Sequence, residues 1–381
     1  MINYGRHYID KKDIYGVVKI LSGKFLTQGS QIEKFEKSIA VKFKSKFCSV
    51  VSSGTAALHL SALALNWKRG DTILLSPITF LASANAILYC GASPEFVDID
   101  EHSYNIDINK LEDKIKQLKK NKKKVKGIIA TDYAGNPCDW HSIKYLANKY
   151  GIKTINDNCH AIGARINNDI GYASKYADIV CHSYHPVKAI TTGEGGSVIT
   201  ENSFLDKKIK ILRSHGIQRN KFDDPWFYKM NFLGYNYRIT DFQCALGLTQ
   251  LKKLDLFLKR RHQIANIYNE AFRDNDLCKI PKVFYINKHA YHLYPLRVNF
   301  KKIKIKKNFL FNRLKKKKIY LQVHYIPIYK QPYYKKNFQI NSINFPVAEK
   351  FYSEEVSLPI YYKLKDDEVM KVISEIKKIM F

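Results

Sequence analysis

FCSVVSSGTAALHLSALAL, residues 47–65, changes character at its middle. FCSVV is a short apolar run of the kind that fills a buried strand, and from Gly54 onward alanine and leucine give a helix. Ser52-Ser53-Gly54-Thr55-Ala56 therefore sits where a strand ends and a helix opens. Glycine lets a backbone approach closely, and the helix N-terminus offers unpaired N–H groups at its positive end. Those are the makings of a phosphate site. An ordinary N-cap serine explains the same five residues equally well. They match neither G-x-G-x-x-G nor a Walker loop.

The same alternation repeats outward. DTILLS (71–76) leads into TFLASANAILYC (79–90), and PEFVDI (94–99), KGIIAT (126–131), KTIND (153–157) and ADIVCHS (177–183) continue the strand series. HSIKYLANKYG (141–151) reads as a helix stopped by its glycine. Strands alternating with helices predict an α/β fold with a mainly parallel sheet, covered on both faces, and ligands at the carboxyl ends of its strands. The pattern changes after about residue 240. DFQCALGLTQLKKLDLFLKRRHQIANIYNEAF (241–272) predicts two helices or one bent one, followed by short strands, a lysine-rich helix and a last helix, DDEVMKVISEIKKIM (366–380). We expect a large α/β domain over residues 1–245 and a smaller α+β domain over 246–381, packed together because no linker separates them.

A chain of 381 residues, 45% hydrophobic and 13% aromatic, has ample material for a core. No apolar run reaches the ~18 residues needed to span a bilayer. MINYGRHYIDKKD lacks the apolar segment of a signal peptide. We therefore expect a cytoplasmic protein with no membrane partner. The net charge of +30 raises nucleic-acid binding, and with it a regulator rather than an enzyme. Against that, only 11 of the 64 cations are arginine, the usual reader of phosphates and bases. The lysines gather in QLKKNKKKVK (117–126) and in 301–318, which read as solvated faces, and no helix-turn-helix stands outside the α/β pattern. No nucleic-acid partner is expected; the charge would help to draw in an anionic substrate. The seven cysteines form no CxxC pair, so no metal site and no disulfide framework is expected.

Three further features fall at strand ends. Asp157 closes KTIND, and a buried acid there needs a partner, either a structural cation or the ring nitrogen of a cofactor. Lys188 follows Ser183 by five residues, near an apolar strand end. Desolvation there would favour its neutral amine, a nucleophile for carbonyls; a lysine snorkelling to the surface is the plainer alternative. TTGEGG (191–196) leaves room above the chain for a flat ring, or makes a simple turn. Each feature is weak alone. Together, a phosphate cradle, a carboxylate for a pyridinium nitrogen and a Schiff-base lysine are what pyridoxal 5′-phosphate (PLP) requires of a protein.

FLTQGSQIEKFEKSIA (25–40), SSGTAALHL, SPITFLASANAILYCGASPEFVDID, YAGNPCD, DNCHAIGA, HSYHPVKAITTGEGG and LGYNYRITDFQCALGLTQL, in this order, resemble the DegT/DnrJ/EryC1/StrS sugar aminotransferases over nearly the whole chain. The resemblance implies the PLP-dependent type I (aspartate-aminotransferase-like) fold and a homodimer with active sites at the interface. It makes Lys188 the catalytic lysine and Asp157 the partner of the ring nitrogen. His160 would bond the ring oxygen, Phe80 would stack on the ring, and Gly54, Thr55, Ala56 and Ser183 would cup the phosphate. Asn236 would reach the phosphate of the neighbouring subunit, and Arg238 becomes a candidate substrate contact. Asp132, Asn158, His182 and Tyr184 depart from the usual family residues, and Asp132 and Tyr184 are expected to mark the substrate subclass. NYGRHYID (3–10), QVHYIPIYKQPYYKK (322–336) and FPVAEKFYSEEVSLPIY (345–361) resemble the pseudaminic-acid branch of the family. That implies a UDP-linked 4-keto sugar and L-glutamate as substrates, with His324 and Tyr325 facing the cleft. Bacillosamine- and perosamine-type C4 or C3 transaminases are the neighbouring alternatives.

Overall fold

A computed structural model describes residues 1–380 apart from 221, 223 and 285. Its centre is a seven-stranded sheet of β1 (Phe47–Val51), β2 (Asp71–Leu75), β3 (Ser93–Phe96), β4 (Lys124–Thr131), β5 (Lys153–Asp157), β6 (Ile179–Ser183) and β7 (Gly196–Thr200). The spatial order is β1-β7-β6-β5-β4-β2-β3. From β6 to β3 every neighbouring pair is parallel. β7 alone is reversed, lying antiparallel between β1 and β6. β1 through β6 therefore all point one way, and their carboxyl ends share one rim.

Both faces of the sheet are buried, which is why its strands read as continuous apolar runs rather than alternating ones. Val51, Ile73, Leu75, Ile129, Ile155 and Ile179 pack on one side, with α3 (Gly54–Ala64) and α4 (Leu81–Tyr89). Val50, Leu74, Ile128, Val180 and Ile199 pack on the other, with Phe35 and Ile39 of the Ser30–Lys42 helix. The strand expected over 94–99 ends at Phe96. Beyond it the chain turns so that buried Asp98 accepts the N–H groups of Val347 and Ala348 and pairs with Lys110. The helix around residue 145 spans Trp140–Tyr150 and closes on Gly151 in the left-handed region, φ 64°.

The stretch 241–272 forms two helices, α5 (Asp241–Leu251) and α6 (Leu254–Phe272), the first opened by a Thr240–Gln243 capping box. A second, antiparallel sheet follows, with β8 (Cys278–Lys279), β9 (Tyr294–Val298) and β10 (Glu355–Leu358) in that order. It packs with Val369, Val372 and Ile376 of the last helix. α6 belongs to both cores: Leu254, Phe257 and Leu258 face the large sheet's cluster, while Ile264, Tyr268 and Phe272 face the small one. All seven cysteines are free. Among the described residues, no helix is long and apolar enough to cross a membrane and no side-chain group is arranged to hold a metal ion.

Gly127 in β4 leaves space for Trp67; a Cβ there would lie 2.1 Å from the indole Cζ2. Gly127→Ala should cost about 1–3 kcal/mol by overpacking. Urea unfolding should show a lower midpoint at unchanged slope; an unchanged midpoint would disprove this packing.

Candidate active site

The shared rim opens into a cavity of about 560 Å³. One wall comes from the loops after β1, β5 and β6, the other from residues 292 and 322–326. The register of the reversed strand brings the first wall together. Gly196 pairs with Val51 on one side and with Ser183 on the other. A Cβ at Gly196 would sit 2.5 Å from the Ser53 carbonyl oxygen and 2.8 Å from that of His182. Only a glycine permits this three-way closure.

Asp157 lies on the cavity and is 4% exposed. It accepts hydrogen bonds from Ser83 Oγ at 2.6 Å and the Cys159 N–H at 3.2 Å, with Thr131 Oγ1 at 3.5 Å. All are neutral donors, and no Lys or Arg pairs with it among the described residues. No structural cation therefore sits at contact distance from it, although its charge is felt by Lys188. Lys188 lines the same cavity. Burial lowers its pKa, with Cys159 and Asp157 opposing the shift. Its Nζ is 3.4 Å from Nε2 of His292, a histidine that burial, and then the charge of Lys188, keeps neutral. Nδ1 of His292 is buried without a partner. The surface-lysine alternative fails, because the amine points inward.

At the N-terminus of α3, Ser53 is the N-cap, its Oγ accepting from Ala56 N–H at 3.1 Å. The plain cap reading therefore holds for Ser53, and it corrects the expectation for Ala56. Its N–H is engaged and it does not line the cavity. Gly54 and Thr55 do line it, beside Ser183. A Cβ at Gly54 would come within 2.7 Å of the Ser183 Cβ, so the glycine keeps this corner open.

His160 has both ring nitrogens occupied. The Ala134 N–H donates to Nδ1 at 3.3 Å, which leaves the proton of the neutral ring on Nε2 to reach the Tyr325 hydroxyl, 2.9 Å away. Burial holds this imidazole far below its usual pKa. Phe80, at the start of α4, keeps 53% of its surface exposed although it is a large aromatic. Its ring centre is 5.9 Å from that of Tyr325. Tyr4 also lines the cavity and packs on His324 at 5.2 Å.

Asn236 is exposed and Arg238 partly buried, and neither lines this cavity. Asp132 and Tyr184, expected to mark the substrate, do not touch the cavity either. Tyr184 is fully buried with its hydroxyl on Ser197. Asp132 is fully buried and accepts from Tyr172, Trp140, the Cys138 N–H, Asn158 and Asn156 at 2.7–3.1 Å. It thereby anchors Asn158, the residue after Asp157, from behind. His292 and Tyr4 escaped the sequence reading, since neither falls at a strand end or in a glycine turn.

These groups fit PLP. A cation-free buried carboxylate suits a pyridinium nitrogen, and an amine with a lowered pKa suits a carbonyl carbon. A helix terminus with a glycine-cleared corner suits a phosphate. The sequence pattern of the DegT/DnrJ/EryC1/StrS aminotransferase family matches residues 7–377. The UDP-4-amino-4,6-dideoxy-N-acetyl-beta-L-altrosamine transaminase of Campylobacter jejuni serotype O:2 is 39% identical, with 99% of each chain covered. Helicobacter pylori PseC, an aminotransferase involved in pseudoaminic acid biosynthesis, superposes with a TM-score of 0.91 at 32% identity, covering 100% of this chain and 99% of its own. A Streptococcus pneumoniae chain assigned as a sugar aminotransferase, Spr1654, was solved in PMP and PLP forms. These give TM-scores of 0.91 and 0.90 at 27% identity, covering 100% of this chain and 99% and 98% of theirs.

Because the Lys188 pKa is lowered, its neutral amine forms at lower pH than that of a surface lysine. Borohydride trapping of pyridoxal phosphate on the apoprotein near pH 7 should mark Lys188 first, and peptide mapping checks it. Equal labelling of the lysine runs would refute the inward amine.

Proposed function

The chain belongs to the DegT/DnrJ/EryC1/StrS aminotransferase family, whose members depend on PLP, and from that premise we propose a specific reaction. It moves an amino group from L-glutamate to C4 of UDP-2-acetamido-2,6-dideoxy-β-L-arabino-hex-4-ulose. The product is UDP-4-amino-4,6-dideoxy-N-acetyl-β-L-altrosamine, on the route to pseudaminic acid. The observation that carries this reading is 39% identity, along 99% of the chain, to a relative named for that product. The cavity of about 560 Å³ supports it, being of a size that takes a small-molecule substrate beside a cofactor.

When bound, PLP supplies an electron sink for the carbanion left when a C–H bond beside nitrogen breaks. The chain's own residues do the rest. Asp157 would hold the ring nitrogen in its protonated form, because a carboxylate with only neutral donors favours a cation beside it. Gly54, Thr55 and Ser183 would bind the phosphate and Phe80 would cover one ring face, while His160, whose ring nitrogens are taken by the Ala134 N–H and the Tyr325 hydroxyl, would bond the ring oxygen by exchanging its Tyr325 contact. Lys188 Nζ takes the proton from Cα of glutamate and later delivers one to C4 of the sugar. Its lowered pKa makes the neutral, proton-accepting amine available at lower pH than an ordinary lysine's, and His292 Nε2 holds the free amine in place.

Asn236 and Arg238 act in the site of a second copy in this reading. Two exposed apolar surfaces support a homodimer. One is on the Lys11–Leu21 helix, with Ile14 56%, Tyr15 70% and Val18 51% exposed; the other is near residue 230, with Trp226 74% and Leu233 79% exposed.

Incubation with L-glutamate and a panel of UDP-, GDP- and dTDP-linked keto sugars tests the substrate. Amination of the UDP-linked 4-keto N-acetyl sugar is expected to be fastest; preference for a GDP- or dTDP-linked sugar, or amination at C3, would replace this reading. Asp157→Ala should lower kcat at least about 100-fold while leaving the circular dichroism spectrum unchanged. Near-normal turnover would remove Asp157 from its role.

A further inference from the structure

Behind the cavity wall lies a buried acid that the reaction above does not use. Glu355, the first residue of β10, is 0% exposed. Its Oε2 accepts the His324 N–H at 3.0 Å, and its Oε1 meets Ser357 Oγ at 2.5 Å. Ser357 Oγ, 1% exposed, in turn stands 2.8 Å from His324 Nδ1. The His324 ring lines the cavity, and its Nε2 has no protein partner among the described residues. A chain of three side chains thus runs from a sealed carboxyl to a free ring nitrogen at the substrate wall.

Ser357 has one hydroxyl proton, so the chain has two consistent arrangements. With Glu355 ionised, Ser357 donates to Oε1 and must accept from His324 Nδ1–H, which leaves Nε2 as a bare acceptor. With Glu355 protonated on Oε1, that proton is donated to Ser357 Oγ. The Ser357 proton then points at Nδ1, and Nε2 carries an N–H into the cavity. Passing from the second arrangement to the first moves one proton from Oε1 to Oγ and one from Oγ to Nδ1. One proton leaves Nε2 for the cavity, so the imidazole stays neutral throughout.

We propose that Glu355 and Ser357 are positioning residues that set the proton arrangement of His324, and that the Nε2–H form binds the nucleotide sugar. This deepens the sugar-transaminase reading and rests on it. The keto and diphosphate oxygens of such a substrate only accept hydrogen bonds, so a donor at Nε2 is the productive partner. Burial raises the Glu355 pKa, and burial likewise keeps His324 from becoming a cation, at about 3. The groups facing Glu355 are consistent with this. Lys307 acts on it from a distance without an ion pair, and Arg297, its register partner on β9, is taken up by Glu354. Tyr104, Tyr133 and Tyr325 are neutral phenols whose own pKa values are raised. Lys188 bears on His324 from the cavity side and opposes a second positive charge there.

The test is the pH dependence of the sugar KM in the holoenzyme. KM should rise about 10-fold with pH as Glu355 ionises, the worth of about one hydrogen bond. Glu355→Gln, whose amide permanently donates to Ser357, should keep the low KM at every pH, and Ser357→Ala should flatten the profile at a higher KM. Joint X-ray and neutron diffraction of the wild-type holoenzyme, about two pH units either side of neutrality, should find the His324 proton on Nε2 at low pH and on Nδ1 at high pH. One tautomer at both pH values, or a Glu355→Gln profile that keeps the wild-type slope, overturns the proposal. A tautomer change with no turnover of any nucleotide sugar would sink the substrate reading and leave the relay standing.

Discussion

A carboxyl group buried without an ion-pair partner is the condition on which this molecule is arranged. Asp157 sits 4% exposed among neutral donors. With no hydrogen bonds at all, a buried carboxylate would cost several kcal/mol. The surroundings offset that cost. Ser83 of α4 and the Cys159 N–H share the charge, and Asp132 ties down Asn158 next door with the help of Tyr172 and Trp140. That leaves the carboxyl group open to a positive group inside the cavity, where Lys188 already feels its charge. A protonated ring nitrogen would be such a group, and the first wall leaves room for one there.

Much of this was legible because the sheet is buried on both faces. Continuous runs such as FCSVV and KTIND can only be interior strands, and a parallel sheet sends their next residues to one rim. Asp157, Ser183 and Gly54 could therefore be picked out before any contact was known. The second wall was not legible in that way. His292, Tyr4, Glu355 and Ser357 come from segments far apart in sequence, and each is an ordinary residue in an irregular or edge segment. Only the register between residue 322 and Ser357 brings His324 beside β10. The same limit explains Asp132 and Tyr184. Unusual residues next to a site read as substrate contacts, whereas these two, each one residue past a strand end, turn their side chains into the core.

Two cores share α6, and this bears on how the cavity walls hold their spacing. The first turns of the helix pack under the large sheet and its last turns under the small one. Arg261, midway along it and buried, donates to the carbonyl oxygens of Tyr291, His292 and Ile360. The loop that carries His292 to Lys188 is thus fastened to the helix common to both halves. Spacing between the lysine and its histidine depends on a rigid rod rather than on a hinge.

The reversed strand β7 deserves a last consequence. Had β6 been followed by another parallel strand, the chain would have crossed to the far rim and carried its connecting residues away from the ligand. Because β7 returns antiparallel, the segment between Ser183 and Gly196 stays at this rim, with His185, Val187, Lys188 and Glu194 on the cavity, and Gly196 closes it against both β1 and β6. The reactive lysine therefore rides on a loop whose two ends are pinned. Residues gained or lost within that loop would re-aim the amine without disturbing a single strand pairing, so reach and scaffold are free to diverge independently.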